Sequence, residues 1–531
     1  KIHGFAVAGY HVVNLAIHMA ASILVYILVL LTFETPFMTE SILKQHTRSI
    51  ALFSSLLFAV HPLQTEAVTY VFQRFASLVA FFCLLSLTAY IQSRLSKDKW
   101  GRLFFYSVSF ISAVLAMKTK ENAFTLPLVI MLYEFCFFSV PVGQPSYLHT
   151  LPPSQPHQRF RYLAPMFLTI VIIPLTLIRL GVTQHTQRVS YLVDSVFSRW
   201  EYFINQFRVI VTYLRLLFFP VNQNLDYDYR VFKTFFEPQV MLSFLFLAAI
   251  FGLGVYLTIG KIQIGKEKWV TFPLPINYLP NLRLMGFGIL WFFITLSVES
   301  SIIPLPNLIC EYRVYLPSVG VIISVVAGAF MLKNMLSPKL GNVVLLMLVL
   351  AIGTLSVATY MRNGLWGDAL KLWEDTARKS PAKAKPHFIL ANQYSSHSMP
   401  DKAVEQYQIA IRLQPNYPEA HSNLGTLYEA LNMPDKAVEQ YQIAIRLDTN
   451  CTWAHYNLGV LYKNLNMNEE AVKELQTSIR LMPEVAESHF ILGVVYYRMG
   501  QVENAQREIK AGLKIAPDNQ QALELLKKIS H

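Results

Sequence analysis

The sequence predicts an all-α protein in two parts, a polytopic helical membrane body followed by an α-solenoid of short repeats. Three observations carry this. Of 531 residues, 53% are hydrophobic and only 15% charged, against about 25% charged in an ordinary soluble domain; mean hydropathy is +0.37. Apolar runs of near-spanning length recur up to residue 361. Beyond residue 363 a polar helical pattern with a 34-residue period takes over.

The apolar runs fall near 5–33, 49–60, 73–93, 103–118, 122–139, 161–180, 236–259, 284–300, 314–332 and 341–360. A helical span needs about 20 residues, so the short runs 49–60 and 103–118 must borrow flanking residues or tilt. The stretch 203–219 is apolar but carries Arg208 and Arg215, seven apart on one helix face, and reads as an interfacial or re-entrant helix. The loops 94–102, 260–283 and 332–340 hold ten Lys and Arg, whereas 61–72 and 299–313 hold only Arg313. The positive-inside rule makes the first set cytoplasmic and delivers everything after Met361 to the opposite side. Lys118, Lys120 and the arginines between 181 and 235 run against that trend.

In the last third, residues 399–413 and 433–447 are identical. Ala369, Ala403, Ala437, Ala471 and Ala505 keep one spacing, as do Pro381, Pro415, Pro483 and Pro517, with Thr449 taking one turn. This is the tetratricopeptide period. Full repeats run 384–417, 418–451, 452–485 and 486–519. The stretch 363–381 reads as the second helix of a degenerate earlier repeat, and 520–531 as a capping helix. The expected domains are therefore 1–362, membrane body; 363–383, degenerate repeat helix and linker; and 384–531, repeats.

The net charge of +12 sits largely in short loops between apolar runs, which fits membrane topology rather than nucleic-acid binding. Cys83, Cys136, Cys310 and Cys451 show no metal or disulfide spacing. The chain starts at Lys1 without a signal pattern, and is expected to be an N-terminally truncated piece of a longer protein.

Polar residues at membrane depth or at its rim are candidate functional groups. His11, Asn14 and His18 share a helix face and suit interhelical hydrogen bonding. Residues 61–74, with His61, Gln64, Glu66 and Arg74 after Pro62, read either as a helix–loop–helix cap or as the wall of a substrate cavity. Lys118, Lys120 and Glu121 read as a snorkelling pair or as a hold on a lipid phosphate. Gln206, Arg208, Arg215, Asp226 and Asp228 gather in 205–229; the two carboxylates alternate as on an extended segment. Glu299, Glu311 and Arg313 bracket a Pro-containing loop, and Glu311 with Arg313 suggests a local charge pair. Walker, Rossmann, HExxH and nucleophile-elbow patterns are missing from the sequence.

Segments 10–18, 58–71, 118–127, 207–229, 299–304, 311–320 and 362–381 carry a resemblance. With the repeats that follow, the chain resembles the transmembrane and tetratricopeptide-repeat (TMTC-like) proteins of the GT-C glycosyltransferase superfamily. The resemblance implies transfer of a sugar, possibly mannose, from a polyprenyl-phosphate carrier to protein Ser or Thr hydroxyls at the exterior face, with the repeats engaging the acceptor protein. It also implies a catalytic Asp in a first outer loop, upstream of residue 1, so this piece by itself is expected to be inactive. Arg74, Lys120, Arg208, Arg215 and Arg313 are the candidates for the donor phosphate, by charge and side. His61, Gln64, Glu66, Glu121, Gln206, Asp226, Asp228, Glu299 and Glu311 are the polar-cavity candidates. No metal site is expected, and divalent-metal dependence stays open. The expected location is a bacterial inner membrane with periplasmic repeats, or an endoplasmic-reticulum membrane with luminal repeats. The alternative is a membrane-anchored repeat scaffold without catalysis.

Overall fold

The computed structural model describes residues 7–70, 73–138, 156–179, 198–259, 261–264, 268–271, 278–301 and 304–530. It divides into two compact units, Lys1–Gly367 and Asp368–His531.

The first unit contains thirteen described α-helices: α1 Val7–Phe33, α2 Thr47–Val60, α3 Gln64–Thr69, α4 Arg74–Leu95, α5 Lys99–Thr119, α6 Leu126–Phe137, α7 Pro156–Leu168, α8 Ile172–Arg179, α9 Arg199–Phe218, α10 Pro238–Ile259, α11 Leu279–Leu296, α12 Tyr315–Met335 and α13 Pro338–Trp366. Seven helices are long and apolar enough to span a bilayer: Gly9–Phe33, Arg74–Leu95, Lys99–Thr119, Pro238–Ile259, Leu279–Leu296, Glu311–Met335 and Pro338–Trp366. That is fewer than the ten apolar runs. Prolines account for the difference. Pro62 follows α2 after 14 residues, Pro127 sits at the start of the 12-residue α6, and Pro165 lies inside the 13-residue α7. The loop after α10 adds one departure from pure helix, an antiparallel ribbon of β1 Lys261–Ile264 with β2 Lys268–Thr271.

Close helix crossings organise this unit. The α11–α12 crossing brings Gly288 against Gly320, and a Cβ on either would overlap the other's carbonyl oxygen. Small residues permit this backbone contact, which dispersion rewards in lipid. Trp291 Nε1 donates to Leu316 O at 2.9 Å beside it. Between α4 and α6, Arg94 pairs with Glu134 at 2.7 Å, and Tyr90 donates to the same carboxylate at 2.9 Å. Helix α9 starts with a capping box, Ser198 with Glu201. Its buried residues Tyr202, Gln206, Val209 and Tyr213 follow the four–three–four spacing of one helix face.

The second unit is a stack of helices: α14 Ala369–Lys379, α15 Ala384–Ser396, α16 Pro400–Leu413, α17 Pro418–Ala430, α18 Pro434–Leu447, α19 Thr452–Asn464, α20 Asn468–Leu481, α21 Ala486–Arg498, α22 Val502–Ile515 and α23 Gln520–Ser530. Ser398, Asn432, Asn466 and Gly500 all have positive φ, between 58° and 71°, at the turn inside each repeat; the left-handed residue stops the first helix. Gly459 faces Leu475 so closely that a Cβ would lie 2.7 Å from its Cγ. One polar pair recurs with the period: His387–Gln406 at 2.7 Å, His421–Gln440 at 2.8 Å, His455–Glu474 at 2.6 Å and His489–Glu508 at 2.9 Å.

Candidate functional site

Four loops of the first unit are laced together by side chains: 61–73, 119–125, 219–237 and 297–314. Pro62 ends α2 and lets the chain turn into α3. Just before it, His61 accepts from Leu63 N through Nδ1 at 3.2 Å, so Nε2 carries the proton that it donates to Leu217 O at 2.9 Å. Burial holds its pKa down at about 4, which keeps the ring neutral. Gln64 donates to Ser318 Oγ at 3.1 Å.

The centre of the lacing is a pair of buried carboxylates. Glu311 accepts from Gln223 Nε2 at 2.7 Å, from Asn224 N at 2.8 Å and from the Tyr227 hydroxyl at 2.6 Å. Gln223 also donates to Pro62 O at 3.2 Å. Glu66 accepts from Tyr312 N at 3.0 Å. Burial first, then the Glu311 charge, push the Glu66 carboxyl up to about 8, while Arg362 pulls the other way.

Beside this pair Lys120 bonds Glu299, with its ammonium over the Tyr312 ring. From α9, Tyr202 donates to Glu299 O at 2.9 Å and Gln206 to Leu308 O at 3.2 Å. Tyr213 donates to Cys310 O at 2.9 Å and accepts from Cys310 N at 3.0 Å. Arg313 is buried and donates to Leu308 O, Asn307 O and the Tyr202 hydroxyl.

Two expected pairings are corrected. Glu311 and Arg313 do not neutralise each other: the 3₁₀ turn Glu311–Val314 has about three residues per turn, so positions two apart diverge. Lys120 pairs with Glu299 rather than with its neighbour Glu121, which is exposed. Asp226 and Asp228 also separate, the first buried and the second exposed. Of the first-helix group, Asn14 donates to Val68 O at 3.0 Å, and His18 bonds the Tyr315 hydroxyl at 2.6 Å and Ala59 O at 3.0 Å.

The remaining basic residues line the edges. Arg74 lies against the Tyr10 and Phe75 rings. Arg208 lies against Tyr229 and Phe232 and donates to Arg230 O at 2.8 Å. Arg215 is exposed and donates to Val221 O at 3.1 Å. It borders an apolar groove of about 530 Å³ formed by α9–α12, whose walls include Phe218, Phe246, Ile250, Phe293 and Val325; Arg215 is the one charged residue among the described lining residues. Its helix continues to Leu217, whose carbonyl His61 holds. No cluster of three or more metal-ligating side chains occurs among the described residues.

The sequence reading missed Tyr202, Tyr213, Gln223, Asn224, Tyr227 and Arg362. The face spacing of α9 was a usable signal for Tyr202 and Tyr213. The others sit far in sequence from the groups they serve.

Models of the tetratricopeptide repeat match residues 418–451 and 454–484, a further TPR repeat model matches 401–432, and the Fis1 C-terminal tetratricopeptide repeat matches 486–531. A protein O-mannosyl-transferase of Caenorhabditis elegans is 25% identical over 78% of this chain and 51% of its own length. Protein O-mannosyl-transferase TMTC1 of Mus musculus is 24% identical over 76% and 49%. Protein O-mannosyl-transferase TMTC4 of Homo sapiens is 34% identical over 23% and 17%. The chain spans about half the length of the curated relatives that it matches most broadly. Among solved structures, the TPR protein YrrB matches at 24% identity over 33% of this chain and 89% of that one, with a TM-score of 0.28. The chain is a TMTC-like transmembrane and tetratricopeptide-repeat protein, integral to a membrane.

Proposed function

We propose that this chain belongs to a membrane glycosyltransferase that moves a sugar, mannose by analogy with the relatives' names, from a polyprenyl-phosphate carrier to a protein hydroxyl. One observation carries the reading: an apolar groove with a single cation, Arg215, at its edge, next to the loops laced around Glu66 and Glu311. An isoprenoid chain suits the groove, and its phosphate suits the guanidinium. In the transfer the acceptor oxygen attacks the anomeric carbon. The bond from that carbon to the phosphate oxygen breaks, and polyprenyl phosphate leaves with the electron pair. Arg215 and Arg208 stabilise the charge that develops there. The carboxylate that takes the acceptor proton is assigned to no residue of this chain. The repeats hold the acceptor protein, on the outer side of the membrane.

The test is a binding comparison with a photoactivatable polyprenyl phosphate and the matching neutral polyprenol on the purified chain. The phosphate is expected to label α9 and α10 saturably. Arg215→Ala should weaken it about tenfold, or roughly 1.4 kcal/mol, and leave polyprenol labelling unchanged. A chain that treats phosphate and polyprenol alike overturns the proposal and favours the scaffold.

A further inference from the structure

The repeat unit contains a feature that donor-site chemistry does not use. Asn450-Cys451-Thr452 is an asparagine-glycosylation sequence. It occupies the turn between α18 and α19, where Asn450 is exposed and Cys451 and Thr452 are half-buried. Asn450 N donates to Asp448 Oδ1 at 2.9 Å, and the Thr452 hydroxyl reaches back to Asn450 O at 3.4 Å.

The previous repeat supplies a natural comparison. Its second helix is identical over fifteen residues, and the turn that follows puts Asn416, also exposed, at the position of Asn450. There the next residues are Tyr417 and Pro418, so no hydroxyl stands two places on. Thr452 replaces that proline as the first residue of its helix, and Thr449 replaces Pro415 on the near side. The turn that loses both prolines is the one that acquires the acceptor sequence.

We infer that Asn450 is an acceptor for an asparagine-linked oligosaccharide. The inference rests on the outer-side placement of the repeats. In the step, the Asn450 carboxamide nitrogen attacks the anomeric carbon of a polyprenyl-diphosphate-linked oligosaccharide. A carbon–nitrogen bond forms and the bond from that carbon to the diphosphate oxygen breaks. Polyprenyl diphosphate leaves with the electron pair, and the amide proton passes to a base of the separate oligosaccharide transferase. The product carries a bulky, hydrated group at the edge of the stack between the second and third repeats.

The experiment is translation of the whole chain into microsomal membranes, read by mobility before and after endoglycosidase. Wild type should show one enzyme-sensitive step. Asn450→Gln and Thr452→Ala should each abolish it. Pro418→Thr, which builds the same sequence at Asn416 in the equivalent turn, should add a second step. Modification at Asn416 in that variant without modification at Asn450 overturns the inference and leaves the outer-side placement standing. Modification at neither overturns both. A step that persists in Asn450→Gln also overturns the inference.

Discussion

Tyr227 donates its hydroxyl to Glu311 Oε1 at 2.6 Å across 84 residues of sequence. With Gln223 and Asn224 it makes one carboxylate the anchor of the whole 219–237 loop. A hydrogen bond to a charged group contributes about 1.5–3 kcal/mol. Tyr227→Phe should therefore lower the melting temperature in detergent and speed tryptic cleavage at Arg230 and Lys233. Unchanged melting and unchanged cleavage would show that the loop is held by other means.

Glu66 gives the first unit a pH dependence of stability. Its carboxyl stands near 8 in the folded protein against an ordinary 4.5. Below about 4.5 it is protonated folded or unfolded. Between 4.5 and about 8 only the folded protein binds the proton, so this contribution to stability falls as pH rises, and it is gone above about 8. Glu66→Gln retains an acceptor for Tyr312 N and has no proton to lose. Melting measured from pH 5 to pH 9 should show the variant gaining on the wild type as pH rises and levelling off beyond about 8. Parallel curves would refute the assignment.

In the repeats, Gly459→Ala should destabilise the second unit by about 1–3 kcal/mol, the cost typical of overpacking, because the new methyl meets Leu475. The double variant with Leu475→Ala should lose less than the sum of the single losses, since the space is then free. Strict additivity in chemical denaturation would mean the two residues do not share that contact.

The repeats were legible because their register is periodic. Identical residues at 399–413 and 433–447 and the recurring Ala and Pro positions place each helix without any long-range knowledge. The polar loops were legible as groups, because His61, Glu66, Lys120, Glu299 and Glu311 stand out between apolar runs. Their partners were not. Neighbouring opposite charges invited local pairing, Glu311 with Arg313 and Lys120 with Glu121. Helix packing instead brought residues 88 and 179 positions apart into contact, Gln223 with Glu311 and Lys120 with Glu299. Span number was overread for a local reason. Hydropathy alone does not register where a proline cuts an apolar run short.

The identity of α16 and α18 has a consequence for the length of the solenoid. Each presents the same fifteen residues to the helix that follows. Excision of 34 residues, joining the first copy to the turn after the second, leaves every junction between helices chemically familiar. The stack is therefore built of interchangeable parts at that point, and its reach is adjustable in whole steps without the design of a new interface.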